Sequence, residues 1–214
     1  MTIIAQTIAS ASKRDYAWLL SALSRWSGNR TDLTDLLPDF VMLAEKRLNA
    51  DLESRHQETV IGLQTEAGIA TVAVPVDTAE IRSLSIAGSG SLDYYAPDLF
   101  NDRFTNLTPG QPRAYMVVGP SIYLAPVPDG VYTLSLAYRA YVPPLADSAG
   151  TNWLIESFPN LYLAAAMVEL CGYTKNREDR AEWEQKYAIA LDSANRPDWT
   201  TAASMVVRSD NQGV

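Results

Sequence analysis

The sequence predicts an α+β chain: an antiparallel helical bundle with an inserted small antiparallel β subdomain and an extended C-terminal tail. Three observations predict it. Apolar residues recur at helical spacing towards both ends, short alternating runs broken by Gly and Pro fill the middle, and periodicity is lost after Pro197. Residues 1–55 and 146–196 are expected to supply the helices of the bundle, 56–145 the β subdomain and 197–214 the tail. The two helical ends must pack together, because no isolated helix can bury its own stripe.

Thr2 to Ala11 reads as an arm. Ser12 is expected to cap the first helix, with Asp15 three residues later in a capping-box position. Tyr16, Leu19, Leu20, Leu23 and Trp26 follow at helical spacing, and Gly28-Asn29 ends the run. Pro38 suits the first turn of a second helix, where its missing N–H is not needed. Its stripe is Phe40, Leu43, Ala44, Leu48 and Leu52, and Arg47 stands four residues before Asp51, a spacing that allows a weak pair.

The period changes from Glu58 to Tyr141. Strand-like runs occur at 59–61, 70–74, 81–86, 115–118, 122–124 and 132–138, with Gly88 to Ser91, Gly119-Pro120 and the run from Pro126 to Gly130 as loop and turns. Helices return after Pro143-Pro144. Leu161 to Cys171 is apolar on every side, which predicts a central buried helix interrupted or ended at Gly172. Asn176 is expected to cap the last helix, with Asp179 in its first turn and Trp183, Tyr187, Ala190, Leu191 and Ala194 facing inward.

The chain has 214 residues, 47% of them hydrophobic, with a formal net charge of -8, so it has ample material for a core. Its 17 basic residues are scattered rather than clustered, which argues against nucleic-acid binding through phosphates. A net negative ring around DNA is compatible with this charge, because repulsion keeps the duplex off the wall. The lone Cys171 excludes an intrachain disulfide and a thiolate cluster, and a reduced, cytoplasmic site of assembly fits it. No secretory signal or membrane span is expected.

Catalytic chemistry finds little support. His56 is the only histidine, so a His-based triad or multi-His metal site within one chain is excluded. His56 reads as a solvated residue at a helix end and Cys171 as a buried inert thiol. Asp32 and Asp35 precede a helix, and Glu178, Asp179, Glu182 and Glu184 crowd the start of another, where negative charge suits the helix dipole. Ser89-Gly90-Ser91 is not a phosphate loop, because no Lys-Ser or Lys-Thr follows. No catalytic, metal or cofactor-binding residue is assigned. The aromatic run Tyr94-Tyr95, with Phe100 and Phe104 beyond, reads as a loop packed on its own sheet or on a neighbouring subunit.

Several pieces in order carry a resemblance. They are LSRWSGNRTDLTDLLPDFVMLAEKRLNADL, the step Pro75-Val76-Asp77, GQPRAYMVVGPSIYLAPVPDG, TLSLAYRAYVPPLAD and TNWLIESFPNLYLAAAMVELCGYTKN. From about Tyr16 to Ala194 the chain resembles the head-to-tail adaptor proteins of short-tailed bacteriophages. In physical terms these pieces are structural: Pro75 and Pro112 set turns and block strand edges, Trp153 and Phe158 wedge the β block against the buried helix, and Pro159 starts that helix.

The resemblance implies a virion protein of the head-tail junction, assembled in the host cytoplasm. It implies identical subunits in a twelve-fold ring under the portal protein, a DNA channel through the ring without sequence-specific binding, and a platform for a tail or nozzle protein. No membrane partner and no cofactor are implied. A carbohydrate-binding or tail-spike accessory module using the Tyr-rich block, and a hydrolase with unrecognised carboxylates, stand as alternatives. Trp199 and the cluster Met205-Val206-Val207 mark the tail as a portal anchor or as a segment folded back on its own subunit. Tyr94, Tyr95 and Phe100 are the candidate tail- or neighbour-facing residues.

Overall fold

The computed structural model describes residues 14–105, 107–146 and 150–196. Helix α1 (Tyr16–Trp26) starts at Asp15, whose carboxylate accepts from the Trp18 amide at 2.9 Å and satisfies one of the free first-turn donors. Asp15 is therefore the N-cap itself, and Ser12 lies outside the described residues. The chain turns out of α1 through Gly28 and Asn29, both at positive φ. A 3₁₀ turn over Thr31–Leu36 leads into α2 (Leu37–Asp51), with Pro38 in its first turn. Leu37, Val41, Ala44, Leu48 and Leu52 form the buried stripe, with Phe40 beside it. Leu43, expected inside, is 44% exposed, because Val41 takes the inward position of that turn.

Among its described residues the middle block holds eight strands: β1 (Glu58–Gln64), β2 (Thr71–Ala73), β3 (Thr78–Ile86), β4 (Gly90–Ser91), β5 (Asp93–Tyr94), β6 (Ala114–Val118), β7 (Ser121–Ala125) and β8 (Thr133–Ala140). One sheet runs β1-β8-β3-β4 and the other β2-β7-β6-β5. Leu84, Ile86, Leu134 and Leu136 of the first sheet and Tyr115, Ile122 and Leu124 of the second share one core. A short helix, α3 (Pro97–Arg103), follows β5, and Phe100 sits in a smaller core with Ala114, Met116 and Ala125. The span expected to be a flexible loop at Gly88 to Ser91 contributes β4, paired antiparallel with the end of β3.

Three helices complete the described residues: α4 (Trp153–Ser157), α5 (Pro159–Tyr173) and α6 (Arg177–Asn195). Asn152 caps α4 and Asn176 caps α6, each accepting a first-turn amide. Leu161, Tyr162, Ala165 and Ala166 of α5 have no exposed surface, as a helix that is apolar on all sides requires.

The class is α+β, but the expected architecture needs correction. The described residues hold six α-helices and two sheets, and the helices do not make an antiparallel bundle. The helices α1, α2, α4 and α6 each meet α5, which is the hub of the helical core. The β part is not a single antiparallel unit either, since β5 pairs with β6 in parallel. The physical reason is the same in both cases. Periodicity identifies the face a segment buries, not the partner or direction against which it is buried. The tail lies outside the described residues.

The helical core and the β cores share no residue. The chain crosses between them after Leu52 and again after Ala140, and the two crossings are fastened to each other. Arg139 Nη1 donates to the Leu52 carbonyl at 3.0 Å and Gln57 Nε2 to the Ala140 carbonyl at 3.2 Å. The Val142 amide donates to Asn49 Oδ1 and the Leu145 amide to Glu45 Oε1, both at 2.7 Å.

Candidate interaction surfaces

Polar side chains inside the helical layer are consumed by structure. Arg47 of α2 donates through Nε to Glu169 Oε1 of α5 at 2.9 Å and through Nη1 to Glu184 of α6, binding three helices with one guanidinium. Burial works against its charge, but Glu169 and Glu184 outweigh that and raise its pKa. The expected pairing of Arg47 with Asp51 is absent from this arrangement. Asp51 instead accepts from the Tyr187 hydroxyl at 2.8 Å, and burial followed by this bond pushes the phenol well above its usual range.

The residues with chemical potential sit apart. His56 is exposed and stacks on Trp153 with ring centroids 5.1 Å apart. Cys171 is buried in α5, and desolvation pushes its thiol up, away from the reactive thiolate. Asp32 is held below the usual carboxylate range by its hydrogen bond from Arg30. Among the described residues, no group of three or more His, Cys, Asp or Glu is placed to hold a metal ion, and no helix is long and apolar enough to cross a membrane.

The aromatic loop divides. Tyr94 is 58% exposed, its ring edge-on to Tyr115, and lines a cavity of about 490 Å³ with Val74, Glu80, Ile81 and Arg82. Tyr95 is half-buried against Phe104 and under Arg103. Phe100 faces the interior and anchors α3. Sequence spacing brought these three together, but on a short helix next to a two-residue strand it does not say which ring points inward. Trp199, Met205, Val206 and Val207 lie outside the described residues.

One surface is not apparent from the sequence. Trp26 ends α1 with more than half its surface in solvent, set edge-on to Trp183 at 5.3 Å. Trp26, Trp183, Leu163, Lys186 and Ile189 line a groove of about 360 Å³ across α1, α5 and α6. Lys186 lies over Trp183 at 4.2 Å and within 5.8 Å of the Trp26 centroid. Periodicity assigned both tryptophans to the interior, yet the inner stripe of α1 ends at Leu23 and leaves Trp26 at the rim. The exposed Ile189, two residues after Tyr187, was the available signal, being apolar on the solvent side of α6.

The β1 edge has its own character. Among the described residues no strand pairs with its outer edge, and the strand has neither Pro nor Lys nor a register shift to protect it, whereas the register of β3 shifts twice.

A family model described as SU10 adaptor protein matches residues 14–209. No curated protein matches the chain.

Proposed function

As the chain belongs to the SU10 adaptor protein family, a family of phage head-to-tail adaptors, we propose that it is one subunit of a ring seated under the portal. The ring extends the DNA channel and offers a docking platform to the next tail component. The observation that carries this reading is the family match, which spans every described element from α1 to α6.

The surface chemistry supports it. A cyclic ring needs two different patches on each subunit, one given and one received. The apolar groove of the helical layer and the free edge and exposed aromatic of the β layer are two such regions. The charge of -8 supports passage of DNA without adhesion, because a duplex binds through clustered Lys and Arg. A structural rather than catalytic role fits a chain whose only histidine is stacked on Trp153 and whose only cysteine is buried.

Like-charged subunits repel in isolation, and a portal that binds only the ring form shifts the balance by mass action. Electron micrographs of the purified chain alone and with the portal of its phage test this. Monomers alone and rings on the portal are expected. No ring on the portal would overturn the reading, and a stable ring in dilute, low-salt buffer without portal would overturn the templating step.

A further inference from the structure

The groove of the helical layer has a chemical counterpart elsewhere on the same chain. We propose that the exposed face of α3 in one copy seats in the Trp26–Trp183–Ile189 groove of the next copy, with Leu99 as the apolar knob and Asp98 and Asp102 meeting Lys186. The proposal rests on the ring reading and names the contact by which neighbours meet.

The groove side is apolar with a cation in it. Trp26 and Ile189 are 58% and 66% exposed, a large indole and an aliphatic side chain left in water on a stable helical layer. Lys186 bridges the two indole faces. Glu182 pairs with it at 2.6 Å from the preceding turn, a solvent-exposed pair of the kind a second carboxylate can join or replace.

The knob side is apolar with anions around it. Leu99 is 62% exposed, and Asp98 and Asp102 are exposed too. The spacing of 98, 99 and 102 places all three on one face of α3. The opposite face is fixed: Phe100 is in the core beneath, and Phe104 packs on both Phe100 and Tyr95. Arg103, the cation of this helix, is drawn over the Tyr95 ring. The knob is therefore rigidly mounted and its solvent face is acidic. An apolar centre with opposite charges at its rim is the arrangement that sets register and discriminates against wrong partners. Because the two patches differ, the contact is heterologous, and repeating it with a rotation that closes, as the ring reading requires, builds a ring rather than a two-fold dimer.

The test uses the full chain with the portal of its phage. Leu99→Cys and Ile189→Cys chains are mixed, assembled and treated with a short bis-maleimide; Cys171 is buried and serves as the unreactive background. A cross-linked pair is expected from the mixture and not from either variant alone. In parallel, the Asp98→Lys/Asp102→Lys chain should lose ring yield by about tenfold or more, and adding Lys186→Glu to it should restore part of that loss, a rescue that a folding defect would not show. Normal rings without the mixed cross-link, a cross-link between two Leu99→Cys chains, or a cross-link from Leu99→Cys to the portal would each overturn the contact while leaving the ring standing. Failure of the unaltered chain to form any ring would instead remove the ring reading, and this contact with it.

Discussion

The hydroxyl of Tyr162 donates to Glu45 Oε1 at 3.1 Å from the centre of the helical core. Tyr162 has no exposed surface, and the same oxygen accepts from Asn152 Nδ2 at 3.0 Å. Asn152 in turn donates to the Pro143 carbonyl and caps α4 through Ile155. One phenol thus joins α2, α5 and the segment that returns from the β layer. Replacing it by Phe leaves the ring in place and removes the hydroxyl, so Tyr162→Phe should cost about 1–2 kcal/mol. That corresponds to a fall of roughly 2–8 °C in Tm for a chain of this size, read by calorimetry. An unchanged Tm would show that the hydroxyl contributes nothing net.

Alkaline pH should unfold the chain through the same group. Burial, then the nearby Glu45, raises the Tyr162 pKa far above the ordinary phenol value of 10.0. The unfolded chain releases that proton near the ordinary value while the folded chain keeps it. The contribution of Tyr162 to stability is therefore complete below the ordinary value and is lost as pH rises through it towards the folded one. Tyr187 is raised in the same direction by burial and by Asp51. Denaturant midpoints should fall between pH 9 and 11 by more in the parent than in a Tyr162→Phe/Tyr187→Phe chain, an expectation drawn from linkage. Equal falls would assign the alkaline loss to other groups.

Arg47→Met should destabilise more than its partial exposure suggests. The Arg47 side chain is 25% exposed and its guanidinium faces Glu169 and Glu184, and Met leaves both carboxylates without it. The expected loss is roughly 1–2 kcal/mol, below the range for fully buried pairs because solvent screens part of the charge. Adding Glu169→Gln should recover some of it in a double-mutant cycle. Strict additivity of the two changes would show that the pair is not coupled.

A chain ending at Pro197 should keep the helix signal and Tm of the parent and lose assembly onto the portal. The expectation follows from the tail's composition, with Trp199 and Met205-Val206-Val207 in an otherwise polar stretch. Helix content by circular dichroism and ring yield in micrographs check it. Unfolding of the shortened chain would place the tail in the core, and full assembly would place the anchor elsewhere.

What the sequence made legible was local. Asn176 as a cap, Pro159 as a helix start and the all-round apolar stretch of α5 follow from residue type and spacing over a turn or two. What it hid was distant. Arg47 finds its partners 122 and 137 positions away, so the closer Asp51 was the natural but mistaken choice. The bundle failed for the same reason, since the role of α5 as a hub depends on which helices surround it. At the surface, Phe100 turned in and Trp26 out. Trp26 holds the last position of α1 and Phe100 lies in a helix of only seven residues, and in neither place does a long stripe dictate direction.

The two crossings between the layers have a mechanical consequence. Because Arg139, Gln57, Asn49 and Glu45 fasten them side by side, a force that pulls the β layer off the helices loads four bonds in parallel. Neither interior lends a buried residue to the other. Compliance is therefore expected between the layers rather than within either one.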